Sequence, residues 1–232
     1  MAEVASTTTV LPSALVADAD VADCAALFSS QYGSWSPRGP RPGAPISLSP
    51  ARLRAACLFD DACGVVLRRD ARSGALIGHA FFRRFAVALQ PGAAPGAAVW
   101  VTQLVVAASE RGKRIATSML LCLYARGLAA FGLLSAHPHA VRALEHAAAQ
   151  RCDRARTAAA AGTLQAAARV PYFRAEDIDV AGGRCVVRNG FFADHAVVDG
   201  ILAAAAAEGR PFALGPLGEG EEFLAVVFPP PG

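Results

Sequence analysis

The feature that most constrains the fold is an almost uninterrupted apolar run at 99–107, V-W-V-T-Q-L-V-V-A. A strand that is apolar on both faces is typical of the centre of a sheet covered by helices on both sides. A polar, basic turn and a segment of helical periodicity at about 112–130 follow it, and Gly132 ends that segment. A short strand at 133–136 and a helix at 139–150 complete the unit. The order strand, helix, strand, helix predicts an α/β fold with a right-handed parallel crossover.

The remaining segments predict further strands and helices around this unit. Ser49-Pro50 is typical of a helix start, and D-A-R-S-G separates two apolar runs as a hairpin turn does. The predicted elements are helices at 18–30, 50–59, 154–169 and 194–208, and strands at 63–69, 75–87, 184–188 and 222–228. We expect a flexible N-terminus over 1–17 and a single domain over 18–232, with a helical insertion around 151–183.

Composition argues against several classes of protein. The 232 residues carry 22 basic and 19 acidic side chains, a net charge of +3, without the concentrated basic stripe of a nucleic-acid-binding protein. The six cysteines include no C-x-x-C pair, so we predict no metal site. The N-terminal segment lacks a basic signal region, and no apolar run approaches the roughly 20 residues of a membrane span. We expect a cytoplasmic protein that binds neither nucleic acid nor membrane.

The turn after the central strand predicts an anion-binding site. It reads S-E-R-G-K-R-I-A and leads directly into a helix, whose first N–H groups have no partner within the helix. Arg111, Lys113 and Arg114 add positive charge, so a polyphosphate is the expected ligand. Neither the P-loop pattern nor the G-x-G-x-x-G pattern of dinucleotide-binding proteins is present.

The same segment resembles motif A of the GCN5-related N-acetyltransferase (GNAT) superfamily, whose turn reads R/Q-x-x-G-x-G/A. Here the turn reads R-G-K-R-I-A from Arg111, and the following L-L-S-A-H-P-H-A-V-R-A-L-E resembles motif B. The resemblance covers 18–150 by order of elements and 99–146 by motif. The segments V-T-Q-L-V-V and F-F-A-D-H are also similar to little-characterised fungal GNAT-like chains.

The resemblance implies a three-layer fold with a mixed, splayed central sheet flanked by helices, and acetyl-CoA as co-substrate. The pantetheine arm would pair with the backbone of Leu104, Val105 and Val106. The pyrophosphate would lie on the turn. The turn residues implied are Arg111, Gly112, Lys113, Arg114, Ile115, Ala116 and Thr117.

Three positions depart from the family pattern. Arg114 stands where the family has its central glycine, His137 where motif B has asparagine, and Leu144 where a tyrosine often serves as general acid. His137, at the end of a strand, and His195 are the candidate catalytic residues. The alternatives are that His137 caps the next helix and that Asp194 beside His195 is a plain helix cap.

These observations predict an acetyl-CoA-dependent N-acetyltransferase in which a primary amine attacks the thioester directly. The acceptor would be a small-molecule or peptide amine, and the protein a monomer or homodimer. A non-catalytic CoA-binding or protein-interaction module of the same fold is the alternative, and a nucleic-acid-binding α/β domain is the weakest one.

Overall fold

The computed structural model describes residues 6–209 and 212–230. Its strands are β1 Ser6–Pro12, β2 Cys63–Asp70, β3 Leu76–Val87, β4 Gly96–Val106, β5 Ala130–Ser135, β6 Ile178–Asp179, β7 Val186–Val187 and β8 Glu222–Val227. Its α-helices are α1 Asp18–Gln31, α2 Pro50–Cys57, α3 Ile115–Leu121, α4 Pro138–Ala148, α5 Arg154–Ala168 and α6 Ala196–Ala207. None of the helices in these two ranges is long and apolar enough to cross a bilayer.

The described strands form one mixed sheet in the order β1-β2-β3-β4-β5-β8-β7-β6. Only β4 and β5 are parallel, and the other neighbours are antiparallel. The helix α3 connects the parallel pair, as the periodicity of the sequence predicts. The predicted α/β class, with a mixed sheet flanked by helices, is confirmed.

Both faces of the sheet are covered by helices. Successive residues of a strand face opposite sides, so neighbouring residues of β2 pack in different cores. On β2, Val66 belongs to the large core that includes Trp100, Met119 and Leu144, whereas Val65 belongs to a second core with α1 and α2. β4 is therefore central, and its side chains are buried on both faces along Ala98–Val101.

Two boundaries differ from the sequence prediction. The expected flexible N-terminus is wrong for residues 6–12, because this run of β-branched residues forms the edge strand β1 and pairs with β2 along its length. Residues 1–5, which share that expectation, lie outside the described residues. The segment 151–183 contains the helix α5 and also β6, which joins the other edge of the sheet.

The helix after the turn is much shorter than predicted. α3 ends at Leu121, and the chain passes through a turn in which Gly127 has φ 79°. Gly132 does not end a helix but lies inside β5, where an added Cβ would come within 2.7 Å of the Trp100 ring. The apolar spacing of 119–123 is typical of a helix, which explains the longer prediction. Gly132 is glycine because the Trp100 ring occupies the space where a Cβ would lie.

Candidate active site

β4 carries a bulge in its middle. Val101 pairs with Phe82 and Gln103 pairs with Phe81, so Thr102 is an extra residue without an opposite number on β3. A bulge bends a strand and redirects its backbone groups. It therefore divides β4 into a regular N-terminal half and an altered C-terminal half.

The C-terminal half of β4 is not paired with β5. The parallel pairing runs from Ala98↔Ala130 to Val101↔Leu133, although β4 continues to Val106. The Ala107 N–H donates to the carbonyl oxygen of Ile77, near the start of β3 (2.9 Å). Because the direction of backbone groups alternates along a strand, those of Val105 face β3, and those of Leu104 and Val106 face the open side. Two of the three residues predicted to pair with a pantetheine arm thus present their backbone groups there.

A tyrosine from the 151–183 segment lies against the bulge. The Tyr172 hydroxyl donates to the Thr102 carbonyl oxygen at 2.5 Å. The next residue, Phe173, stacks on Trp100 with ring centroids 5.0 Å apart, which fixes the segment on the sheet. The insertion therefore places a phenol at the point where β4 and β5 part.

Glu222 is a buried carboxylate beside the same point. It is the first residue of β8, and because Phe223 pairs with Ser135, it lies next to the C-terminal end of β5. Only 7% of the residue is exposed, and Asn189 Nδ2 donates to its Oε2. Across residues 6–209 and 212–230, no Lys, Arg or His forms an ion pair with it.

The electrostatics of this corner favour neutral phenols and a more basic carboxylate. Burial raises the pKa of Glu222, and its hydrogen bonds with Asn189 and the Ala136 N–H oppose the rise only in part. Burial, with the negative charge of Glu222 when it is ionised, raises the pKa of Tyr172 well above its usual value. The pKa of Tyr32, at the end of α1, is also raised, mainly by burial.

The predicted anion-binding turn has two residues in left-handed backbone conformation. Gly112 has φ 78° and Arg114 has φ 60° and ψ 17°. Arg114 therefore adopts a conformation that glycine adopts at lower cost, at the position where the family pattern has glycine. Within the described ranges, the backbone N–H groups of 112–117 have no hydrogen-bond acceptor, and they remain available to a ligand.

The basic side chains of the turn are already engaged. Arg111 donates from Nη2 to the Gln31 carbonyl (2.8 Å) and from Nε to the Val106 carbonyl (3.3 Å). Lys113 Nζ pairs with Glu110 at 3.2 Å. Arg111 thus ties α1 to the C-terminal end of β4, beside the open backbone. Phosphate binding by both side chains stays a prediction.

The two histidines predicted as catalytic have different surroundings. The Nδ1 of His137 accepts from the His139 N–H (3.3 Å) and caps α4, and burial, with the charges of His139 and Arg111, lowers the pKa of His137 to about 4. His195 precedes α6, is 8% exposed, and has a buried Nε2 without a partner in the described ranges. Among the contacts of the described residues, none joins the two histidines.

Sequence reasoning missed Glu222, Tyr172 and Asn189. Glu222 opens an apolar strand, E-F-L-A-V-V, and a carboxylate at a strand end is commonly exposed. Tyr172 reaches Thr102 across 70 positions of the chain, which no local pattern encodes. Within the ranges that the structure describes, no group of three or more His, Cys, Asp or Glu could hold a metal ion.

Comparison with known proteins gives structural likenesses only. No protein-family model and no curated protein matches the chain. A ribosomal-protein-alanine N-acetyltransferase from Brucella melitensis biovar Abortus 2308 is 22% identical over 51% of this chain and 70% of its own, with a TM-score of 0.36. The NAA60 protein of Arabidopsis thaliana is 14% identical over 63% and 85%, with a TM-score of 0.41.

An aminoglycoside antibiotic 6'-N-acetyltransferase from Acinetobacter baumannii is 12% identical over 50% of this chain and 69% of its own, with a TM-score of 0.33. At TM-scores below 0.5, these likenesses do not decide the fold. The strand order, the register and the bulge of β4 define the fold.

Proposed function

We propose that the protein is an acetyl-CoA-dependent N-acetyltransferase of GNAT-like fold that acts on a primary amine. The observation that carries the proposal is the separation of β4 from β5 after Val101, beside a buried carboxylate. The likeness of the turn to motif A agrees with it. The further resemblance to fungal chains stays a prediction.

The residues present fit acetyl-CoA. Leu104 and the N–H of Val106 offer backbone groups that an amide-bearing arm could pair with, while the Val106 carbonyl already accepts from Arg111. Val105, which faces β3, holds them in register. The N–H groups of 112–117, with Arg111 and Lys113 nearby, are the groups we expect to hold the pyrophosphate. When bound, acetyl-CoA would supply the thioester that is attacked.

Glu222 is the residue we assign as general base. A positioned carboxylate with a raised pKa is a better proton acceptor than an ordinary one, and its burial makes an incoming ammonium a favourable partner. His137 is less suited, because a histidine with a pKa of about 4 is a weak base. His195 stays a candidate for contact with the acceptor.

Tyr172 is the residue we assign as general acid. Its phenol stays protonated at neutral pH, and its hydroxyl lies at the bulge, next to the open part of β4. Glu222 would take one proton from the bound ammonium, and the free amine would attack the thioester. As the N–C bond forms and the C–S bond breaks, Tyr172 would give its proton to the departing thiolate and recover one from the amine nitrogen in the same step, because its raised pKa disfavours a lasting phenolate. This arrangement would fill the role that Leu144 leaves open. The six cysteines are unpaired, which agrees with the reducing cytoplasm where we expect the reaction.

Calorimetric titration with CoA tests the proposed cofactor site. Replacing both Arg111 and Lys113 by Ala should weaken binding by about 1–3 kcal/mol, the size of lost charge-assisted hydrogen bonds. The matched control is Arg52→Ala with Arg72→Ala, which removes two exposed charges elsewhere and should leave the affinity unchanged. Equal affinity for all three proteins would refute the site.

Release of free thiol from acetyl-CoA, measured against a panel of primary amines, tests catalysis. We expect release that depends on the amine. A protein that binds CoA and releases no thiol with any amine would instead be a non-catalytic module.

A further inference from the structure

A group of aromatic side chains lies against the proposed site. We define the aromatic cluster as Phe28, Tyr32, Trp35 and Phe191. Tyr32 stacks on Phe28 (4.3 Å), and Phe191 meets Tyr32 at 5.6 Å and Trp35 at 5.3 Å, both edge to face. Phe28 is buried, whereas Tyr32, Trp35 and Phe191 are each partly exposed as residues. Aromatic rings bind flat apolar groups and attract cations.

The aromatic cluster is joined to the buried carboxylate through one residue. Asn189 donates from Nδ2 to Glu222, and its Oδ1 accepts from the Phe191 N–H (3.1 Å). One amide side chain therefore fixes the distance between the carboxylate and the Phe191 backbone. A ligand with a charged end and an apolar body would find both groups at adjacent places.

The aromatic cluster also borders β4. Phe28 and the β4 residue Val105 belong to one apolar core, against which Tyr32, Trp35 and Phe191 pack. Val105 lies between Leu104 and Val106, whose backbone groups face the open side of the strand. An amine held between Glu222 and the cluster would therefore lie near the part of β4 that we propose to hold the thioester.

The two carboxylates that precede Glu222 most closely in the chain already have cationic partners, which limits how many ammonium groups a ligand could place here. Glu219 pairs with Arg38 at 3.7 Å and bonds Ser36, and Glu221 pairs with Arg184 and Arg188. Glu222 is the one of these three carboxylates that lacks a cation in the described ranges. A buried carboxylate without a cation is costly, and one ammonium group would offset that cost.

One further polar atom in the cluster has no partner. The indole N–H of Trp35 is buried and donates to no acceptor in the ranges described. An indole nitrogen can only donate, so an acceptor such as a water or a ligand oxygen would satisfy it.

From this arrangement we infer that the acceptor is a monocationic arylalkylamine, held by its ammonium on Glu222 and by its ring on the aromatic cluster. The inference rests on the proposed function for the reaction but not for the binding. Polyamines and aminoglycosides carry several ammonium groups, and the neighbouring carboxylates already pair with arginines. Peptide amines lack a ring at the required place unless the first side chain supplies one.

Calorimetry with the whole protein, without CoA, tests the binding. The probes are tyramine, propylamine with the same charge and no ring, and spermidine with three charges. Tyramine should bind at least tenfold more tightly than either. Glu222→Gln should weaken tyramine at least tenfold, and the control Glu219→Gln should not.

A second variant separates the contribution of the ligand's ring to binding from that of its charge. Phe191→Leu should weaken tyramine several-fold and leave propylamine unchanged, whereas misfolding would affect both. Tighter binding of spermidine would overturn the inference, as would an equal loss for both amines in a Phe191→Leu protein whose urea denaturation matches that of the wild type.

Failure of the two proposals can be told apart. If tyramine binds as expected and no thiol is released from acetyl-CoA, the acceptor site stands and the proposed reaction falls. If thiol is released with peptides or spermidine while tyramine does not bind, the reaction stands and the acceptor class is wrong.

Discussion

The two halves of β4 differ in pairing, in packing and in polarity. Ala98–Val101 pairs with β3 and β5, and Trp100 is 1% exposed between Phe173 and Gly132. Beyond Thr102, whose carbonyl accepts from Tyr172, the strand pairs with β3 alone. One strand thus has neighbours on both sides in one half and on one side in the other, where we propose that its backbone groups bind a ligand. Substitutions in the two halves should separate stability from activity.

The largest expected effect is on the stability of the regular half. Trp100→Ala removes a large buried ring that stacks on Phe173, and such truncations cost about 3–5 kcal/mol of unfolding free energy. Urea denaturation measures the loss. Val197→Ala, at a side chain that is 70% exposed, is the control and should change stability by no more than about 0.5 kcal/mol. An equal change in both variants would show that this half is not the stabilising one.

The next effect is on turnover in the open half. Glu222→Gln keeps the shape of the side chain and removes its proton-accepting oxygen, so kcat should fall about 100-fold, or about 2.7 kcal/mol. Urea denaturation should show no loss of stability, since the variant removes a buried charge that has no cation among the described residues. Glu219→Gln is the control for kcat. A variant with wild-type kcat would remove Glu222 from the chemistry.

Tyr172→Phe should have a smaller effect on the same half. It deletes one hydroxyl, which costs about 1 kcal/mol through the lost bond to the Thr102 carbonyl, and it removes the proposed proton donor. We expect kcat to fall roughly tenfold or more, with little change in the affinity for CoA measured by calorimetry. A weaker affinity with unchanged kcat would assign Tyr172 to positioning of β4 instead.

The contrast between the halves explains what the sequence could predict. Nine nearly apolar residues sufficed to identify a central strand, and the basic turn after it followed from local composition. The bulge at Thr102 could not be predicted from local composition, because it depends on how β4 aligns with β3. The positions of Glu222 and Tyr172 depend on pairing between distant segments, so both residues looked ordinary in the sequence.

The errors at element boundaries have the same origin. Gly132 looks like a helix terminator when its neighbours in sequence are considered, and its reason for being glycine is the Trp100 ring on the adjacent strand. The edge strand β1 contains a run of β-branched residues, Thr7–Val10, whose neighbours in sequence do not tell an edge strand from an open tail. Its pairing with β2, from Ser6↔Asp70 to Pro12↔Gly64, determines its structure.

The smallest expected effects are on the pH dependence of stability, and they should have opposite signs in the two halves. In the regular half, Arg83 lies opposite Trp100 and binds Asp60 and the carbonyls of Ala167 and Ala168. Burial acts to raise the pKa of Asp60, but its hydrogen bonds, those from Arg83 first, lower it overall. Its stabilisation is therefore present above the usual Asp pKa of about 3.9 and is lost as pH falls through the folded-state value.

Glu222 in the open half should behave in the opposite way. Its folded-state pKa is raised by burial, so its contribution to stability is fully present below the usual Glu value of about 4.3 and is lost as pH rises through the folded-state pKa. Urea unfolding from pH 3 to pH 8 should show that Asp60→Asn flattens the acid side of the stability curve. Glu222→Gln should flatten the curve above about pH 4.3 instead. If both variants altered the same side of the curve, the two halves of β4 would not differ electrostatically, and the assignment of Glu222 as an uncompensated carboxylate would be wrong.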